Sequence, residues 1–255
     1  MRKLNYIWRL FATGFSFFIF GLGGLLLWGL VFPVLSVLPA NRLQRISRGQ
    51  RVVHYSFYFF IGLMHRIGIM TYEINGLEKL NRAGQLIIAN HPTLIDVVFL
   101  ISRIKQANCI VKDSLWRNPF MRGSILNAGY ISNGDPEKMI ADCVAWLQSG
   151  GNLIIFPEGT RSVPNKPYHF QRGAAAIALQ ANTIVTLVTL SCTPSTLTKA
   201  EPWYHIPERR FHLVMTVGED MDLTAFAHIE PRSIAVRHFN HYLADYFTQD
   251  THYGN

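Results

Sequence analysis

The chain has 255 residues, of which 49% are hydrophobic and only 16% charged, and its formal net charge is +8. That length supplies one catalytic-sized domain with an appendage, and ample material for a core. So little charge argues against a nucleic-acid binder, and the basic excess points instead to a membrane surface or an anionic substrate.

The first element is apolar. Basic residues stop at Arg9, and residues 10–41 then carry no charge. The run is longer than the roughly 20 residues of a membrane helix and than the roughly 7–15 residues of a signal-peptide core. Gly21, Gly23, Gly24, Gly29 and Pro33 interrupt it, so a kinked helix or a tight re-entrant pair is expected. Arg42, Arg45, Arg48 and Arg51 follow. Both flanks are therefore basic, and the positive-inside rule selects no orientation. A hairpin that dips into the bilayer and returns satisfies both. Residues 52–70 are aromatic but carry His54, His65 and Arg66, which suits an interfacial helix.

Strand and helix signals then alternate. Tyr72 to Gly76 reads as a first strand ending in a turn. Leu86 to Ala89 is a buried strand that stops at Asn90-His91-Pro92, and a helical pattern runs from Thr93 to about Ser102. Cys109 to Lys112 is a core strand, Trp116 to Phe120 a break, and Gly129 to Ser132 a short strand. Asp135-Pro136-Glu137 starts a helix, with an acid as N-cap and proline at the first position. That helix stops at Gly150-Gly151. Asn152 to Phe156 is a buried strand, followed by Pro157-Glu158-Gly159-Thr160-Arg161-Ser162. An Ala-rich helix, Ala174 to Ala181, precedes a β-branched run from Thr183 to Leu190. Phe211 to Val217 is a strand, and a final helix runs from about Glu230 to Phe247. The fold class is α/β, a mixed sheet flanked by helices. A membrane-inserting helical region, residues 1–70, precedes a catalytic domain, residues 71–255. Cys109, Cys143 and Cys192 are odd in number and lack C-x-x-C spacing, so they read as reduced, buried thiols of a domain facing the cytoplasm.

His91 and Asp96 stand where a strand gives way to a helix, at the edge where α/β sheets collect ligands. A histidine is a general base near neutral pH, and a carboxylate on its second ring nitrogen fixes the tautomer. Five positions along a continuous helix separate two side chains by about 140°. The two meet only if His91 precedes the helix and Asp96 lies in its first turn. The alternative is that His91 is a cap and Asp96 a first-turn acid favoured by the helix dipole. The second strand-end motif supplies Gly159, which lets backbone approach a ligand closely. Thr160 and Arg161 can donate to an oxyanion. The alternative is a surface turn with a solvated arginine. No metal-ligand cluster is visible.

Together, Asn90-His91-x4-Asp96 and Phe156-Pro157-Glu158-Gly159-Thr160-Arg161-Ser162 strongly resemble the glycerolipid acyltransferase superfamily. Lys112, Pro119, Phe120 and Gly123 fit the same pattern, as do Phe170, Arg172, Gly173, Ala174 and Ala175. The resemblance covers about residues 74–220. It implies transfer of a fatty acyl group from a CoA or acyl-carrier-protein thioester to a hydroxyl, with no metal and no other cofactor. His91 takes the acceptor's proton and Asp96 orients it, without an acyl-enzyme. Glu158, Gly159, Thr160 and Arg161 hold the acceptor's head, with Lys112 and Arg172 as further substrate-binding residues. The partners implied are membrane lipid and the thioester donor, at the cytoplasmic membrane with the catalytic domain on the cytoplasmic side.

Two departures bear on the acceptor. The family's second motif ends in an arginine that serves the acceptor phosphate, and here Asp135 stands in its place. The fourth motif carries two prolines, where this chain has Thr186 and Thr189. These differences point away from the glycerol-phosphate acceptor and are similar to the acyltransferases of bacterial aryl-polyene clusters. An ordinary lysophosphatidic acid acyltransferase is the nearest alternative. A thioesterase or lipid hydrolase is another, without a Gly-x-Ser-x-Gly nucleophile, and a non-catalytic membrane lipid-binding protein is a third.

Overall fold

The structure, a computed structural model, describes residues 2–80, 82–163, 166–199 and 201–252. The apolar start forms a nearly unbroken helix: α1 (Arg2–Leu26) passes through a π-helical turn (Leu27–Val31) into α2 (Phe32–Val37). Lys3–Val37 is long and apolar enough to cross a membrane, and only 6% of its most apolar window is buried. The chain then reverses into α3 (Arg42–Arg66). Asn41 starts that helix with a capping box, its side chain accepting from the Gln44 N–H while Gln44 reaches back to the Asn41 N–H. The helix expected over 52–70 thus begins ten residues earlier, where the cap lies. It also does more than lie at an interface, because Val53, Phe60, Ile61 and Met64 are buried against the sheet.

The rest of the chain adds β1 (Met70–Asn75), β2 (Leu86–Ala89), α4 (Asp96–Ile101), β3 (Ala107–Val111), α5 (Pro119–Asn127), β4 (Ile131–Ser132), α6 (Pro136–Gln148) and β5 (Asn152–Ile155). After these come α7 (Gly173–Ala181), β6 (Val185–Thr193), β7 (Phe211–Met221), α8 (Thr224–Ala227) and α9 (Arg232–His252). The sheet runs β1-β7-β6-β2-β5-β3-β4. All neighbours pair in parallel except β6 and β7. Strands β6, β2, β5, β3 and β4 therefore share one carboxyl edge, and the chain leaves β2 toward one side of the sheet and β5 toward the other. Such a reversal opens a crevice at that edge.

The central strands are buried on both faces, which explains their unbroken apolar runs. Period-two alternation sends Leu86, Ile88, Leu153 and Ile155 to a core shared with α6, α7 and α9. Ile87, Ala89 and Ile154 join a second core with α3 and α4 on the opposite face. The break expected at Trp116 to Phe120 proves to be a 3-10 turn (Asp113–Arg117) and then α5, started by Asn118 as N-cap with proline at the first position. The same signature had marked α6.

Gly24, one of the glycines that suggested a kinked membrane helix, admits α5, as does Gly49 of α3. A Cβ on Gly24 would lie 2.0 Å from the Phe120 carbonyl oxygen, and one on Gly49 of α3 would lie 2.1 Å from the Asn127 carbonyl oxygen. Neither backbone oxygen can move without shifting α5. Gly49→Ala is accordingly expected to destabilise the protein by about 1–3 kcal/mol, read as a lower denaturation midpoint. Unchanged stability would show that α3 and α5 do not meet at this glycine.

Candidate active site

Strand β2 hands over to the site through Asn90. Its amide extends the pairing with β6 beyond the main chain, Nδ2 donating to the Leu190 carbonyl at 2.8 Å and Oδ1 accepting from the Leu190 N–H at 2.7 Å. The main chain is thereby released from the sheet at His91 while staying anchored. The helical pattern beginning at Thr93 does not become helix until Asp96. Thr93 to Ile95 form a turn, in which the Thr93 N–H donates to Asp96 Oδ2 at 2.6 Å and the Ile95 N–H to Thr93 Oγ1 at 3.1 Å.

That turn brings the pair together. His91 Nδ1 lies 2.8 Å from Asp96 Oδ2, with the Asp96 side chain fully buried and that of His91 14% exposed. An ionised carboxylate only accepts hydrogen bonds, so Nδ1 carries the proton and Nε2 presents a lone pair. Burial raises the Asp96 pKa above the ordinary carboxylate value, while the hydrogen bond and charge of His91, and then the Thr93 N–H, pull it back down. Asp96 is therefore both a first-turn acid and the histidine's partner.

The second motif leaves β5 beside the first. The Phe156 ring packs 4.4 Å from the His91 ring. Gly159 takes a positive φ of 64°, turning the loop back so that its N–H donates to the Phe156 carbonyl at 3.0 Å. Glu158 Oε1 accepts from the His91 N–H at 2.9 Å and from Ser162 Oγ at 2.8 Å, and the Ser162 N–H donates to the His91 carbonyl at 2.7 Å. These bonds stitch the two loops across the β2–β5 crevice. Burial raises the Glu158 pKa, opposed by the Ser162 hydroxyl and the His91 N–H.

A cleft of about 1410 Å³ opens here, bounded by the catalytic loops and by Phe17 and Phe20 of α1, Phe60 of α3 and Ile125 of α5. His91, Lys112, Gly159, Thr160, Arg161 and Arg172 all line it. Glu158 does not, because its carboxylate is turned to the His91 loop. Arg161 commits Nη1 to the Leu197 and Thr198 carbonyls at 2.8 and 2.9 Å. Among the described residues the Lys112 ammonium and the Arg172 guanidinium have no hydrogen-bond or ion-pair partner.

Asp135 is an N-cap, its Oδ1 accepting from the Glu137 and Lys138 N–H groups at 3.1 Å each. Thr186 is buried toward the far end of β6, bonded to Gln85 and Asp220, so its identity bears on that end of the sheet and not on the crevice. Burial pushes the thiols of Cys109, Cys143 and Cys192 up to about 12. They stay protonated at neutral pH and offer no thiolate nucleophile. Among the described residues no cluster of three or more His, Cys, Asp or Glu could hold a metal ion.

Sequence reasoning missed the segment after β6. Leu197, at a φ of 54°, uses its carbonyl to accept from Arg161 and also from the Leu94 N–H at 3.2 Å. Its contacts are made by main-chain oxygens, which leave no residue-type signal. The turn residues Pro194 and Ser195 were the only marker.

Residues 71–193 match a protein-family model described as Acyltransferase. The chain is 28% identical over 164 residues to the 1-acyl-sn-glycerol-3-phosphate acyltransferase of Pseudomonas aeruginosa, covering 60% of this chain and 61% of that protein. It is 30% identical over 145 residues to the Helicobacter pylori protein of the same name, covering 54% and 57%. Against the chloroplastic enzyme of Arabidopsis thaliana it is 28% identical over 128 residues, covering 47% and 36%. The chain thus spans between about a third and three fifths of these relatives' lengths. The crystal structure of PlsC, a 1-acyl-sn-glycerophosphate acyltransferase from Thermotoga maritima, superposes with a TM-score of 0.68 at 18% identity, covering 96% of this chain and 98% of that one, which establishes the shared fold. Residues 71–193 thus carry an Acyltransferase-family domain, and the chain is similar there to the glycerolipid acyltransferases just named.

Proposed function

We propose that this protein is a membrane-bound O-acyltransferase that moves a fatty acyl group from a CoA or acyl-carrier-protein thioester to a lysolipid hydroxyl. The observation that carries the reading is the buried Asp96 on His91 Nδ1, with the histidine on the wall of a largely apolar cleft. Nε2 takes the proton of the acceptor hydroxyl as its oxygen attacks the thioester carbonyl. The tetrahedral intermediate then collapses to the ester, and the proton on the imidazolium passes to the departing thiolate. Buried Asp96 holds the ring and stabilises the imidazolium. The apolar cleft wall suits an acyl chain. The free cysteines, Cys109 and Cys143 buried and Cys192 half-buried, suit a catalytic domain on the cytoplasmic side of the membrane.

Lys112 and Arg172 suit a phosphate, which makes 1-acylglycerol 3-phosphate, named in the relatives above, the first acceptor to test. A second acceptor class, an amphiphile without phosphate, is favoured by one observation: Asp135 caps a helix where the family's arginine is expected. The assay uses purified protein in micelles, a labelled acyl thioester and a panel of acceptors. A phosphate acceptor requires that Lys112→Ala and Arg172→Ala each raise KM about tenfold or more, the scale of a charge-assisted contact, with kcat little changed. Equal turnover of a phosphate-free acceptor, untouched by either substitution, would select the second class. Release of free fatty acid at the same rate without any acceptor would contradict acyl transfer.

Asp96 must be ionised to accept from His91. Because its pKa is raised, falling pH protonates it earlier than an ordinary aspartate, and kcat/KM is expected to decline on the acid side. Asp96→Asn should lower kcat on the order of 10³–10⁴-fold. A variant that keeps wild-type kcat would show that the pair does not work as a unit. Glu158 gives a contrasting result. Glu158→Gln retains the acceptor oxygen for the His91 N–H and should keep most activity. Glu158→Ala leaves that N–H and the Ser162 hydroxyl unpaired and should lose both activity and about 1–3 kcal/mol of stability. Equal activity of the two variants would contradict a loop-holding role.

A further inference from the structure

Arg9 is the last charged residue before the apolar run, and it is only 3% exposed. Its guanidinium does not face solvent. Nε donates to Asn5 Oδ1 at 2.8 Å, Nη1 to the Pro207 carbonyl at 2.6 Å and Nη2 to the Glu208 carbonyl at 2.5 Å. One turn further on, Gly14 leaves room for Trp203, whose ring a Cβ there would meet at 3.4 Å, and the Phe17 ring lies 5.8 Å from it. Residues 201–210 are thus fastened to the apolar helix at two points. The same segment reaches the site, since Ile206 and Pro207 line the cleft and Leu197 and Thr198, just before it, hold Arg161.

The outer surface of this segment has a particular composition. Trp203 and Tyr204 are 46% and 59% exposed, stacked edge to face at 5.8 Å. Arg209 and Arg210, beyond the buried Ile206, are exposed. Glu208 is exposed as well, while Glu201 is turned inward to the Thr198 N–H at 3.3 Å and lies 4.0 Å from His205. On α1, which the segment contacts through Arg9, Gly14 and Phe17, the side chains of Ile7, Trp8, Phe11, Phe15 and Phe18 are exposed and apolar. Exposed tryptophan and tyrosine next to an apolar helix, bordered by arginines, is the pattern of the water–bilayer interface. Paired arginines add attraction to anionic headgroups.

We propose that residues 201–210 form a membrane foot, in which Trp203 and Tyr204 enter the interface of an anionic bilayer beside α1 while Arg209 and Arg210 meet lipid phosphates. The foot holds the cleft wall made by Ile206 and Pro207 against the lipid from which an acyl substrate arrives. The proposal rests on α1 being a membrane segment and is independent of the reaction.

The test is vesicle binding by the full-length protein. Vesicles of phosphatidylcholine alone are compared with vesicles that also contain phosphatidylglycerol. Arg209→Gln/Arg210→Gln is expected to weaken binding to the anionic vesicles roughly ten- to thirty-fold, the scale for two basic residues at such a surface, and to leave the zwitterionic vesicles unaffected. With dibrominated phosphatidylcholine in the bilayer, Trp203→Phe should remove a quenchable share of the tryptophan emission. Circular dichroism of each variant confirms that it is folded, and Trp203→Tyr serves as a milder replacement if Trp203→Phe is not. Equal loss on both vesicle types, no loss on the anionic ones, or quenching that does not depend on Trp203 overturns the foot while leaving α1 in the membrane. Wild-type protein that binds neither vesicle overturns both.

Discussion

A histidine and an aspartate five residues apart cannot face each other along one helix, and the site depends on how the chain avoids that geometry. The Asn90 side chain continues the β2–β6 ladder by two hydrogen bonds, so the main chain can leave the sheet at His91 without losing its register. The turn from Thr93 to Ile95 then delays the helix until Asp96. The carboxylate accepts from the Thr93 N–H and meets His91 with the same oxygen. The cap and the contact with His91 thus share one carboxylate oxygen. Burial of Asp96 works against its own ionisation. The histidine that it orients is also what offsets that cost.

The two loops are joined in the same manner, by a side chain that serves the main chain of its neighbour. Glu158 looks like a ligand-binding acid in the sequence, yet it fixes His91 through the backbone N–H. Arg161 looks like an oxyanion ligand, yet one of its nitrogens is held by two carbonyls. Lys112 and Arg172 remain to face the cleft with their charges unengaged. The polar residues of these loops thus divide into those that shape the crevice and those left for a ligand. Only distances separate the two groups.

This division marks the limit of what could be read from residue types. The strands were legible because Leu86 to Ala89 and Leu153 to Ile155 are buried on both faces and carry no polar interruption. Helix starts are legible where a cap and a proline coincide, as at Asp135-Pro136, and Asn118-Pro119 carries the identical signal inside an aromatic, charged stretch that reads as a break. The start of α3 is masked because its capping box, Asn41 with Gln44, lies among arginines. Gly24 was ambiguous for a physical reason: a glycine that loosens a helix and one that admits a neighbouring backbone look alike until the neighbour is known. The segment after β6 works through main-chain oxygens and carries no signal beyond its turn residues.

The central claim is that His91 is the base of a direct acyl transfer, and one variant tests it most directly. His91→Ala, checked for an unchanged circular dichroism spectrum and unchanged vesicle binding, is assayed for single-turnover transfer from an acyl thioester to a lysolipid. Loss of transfer by about 10²–10⁴-fold with the fold intact is the result expected. Transfer at the wild-type rate in that folded variant would remove His91 from the chemistry and leave the Asp96 contact a structural cap.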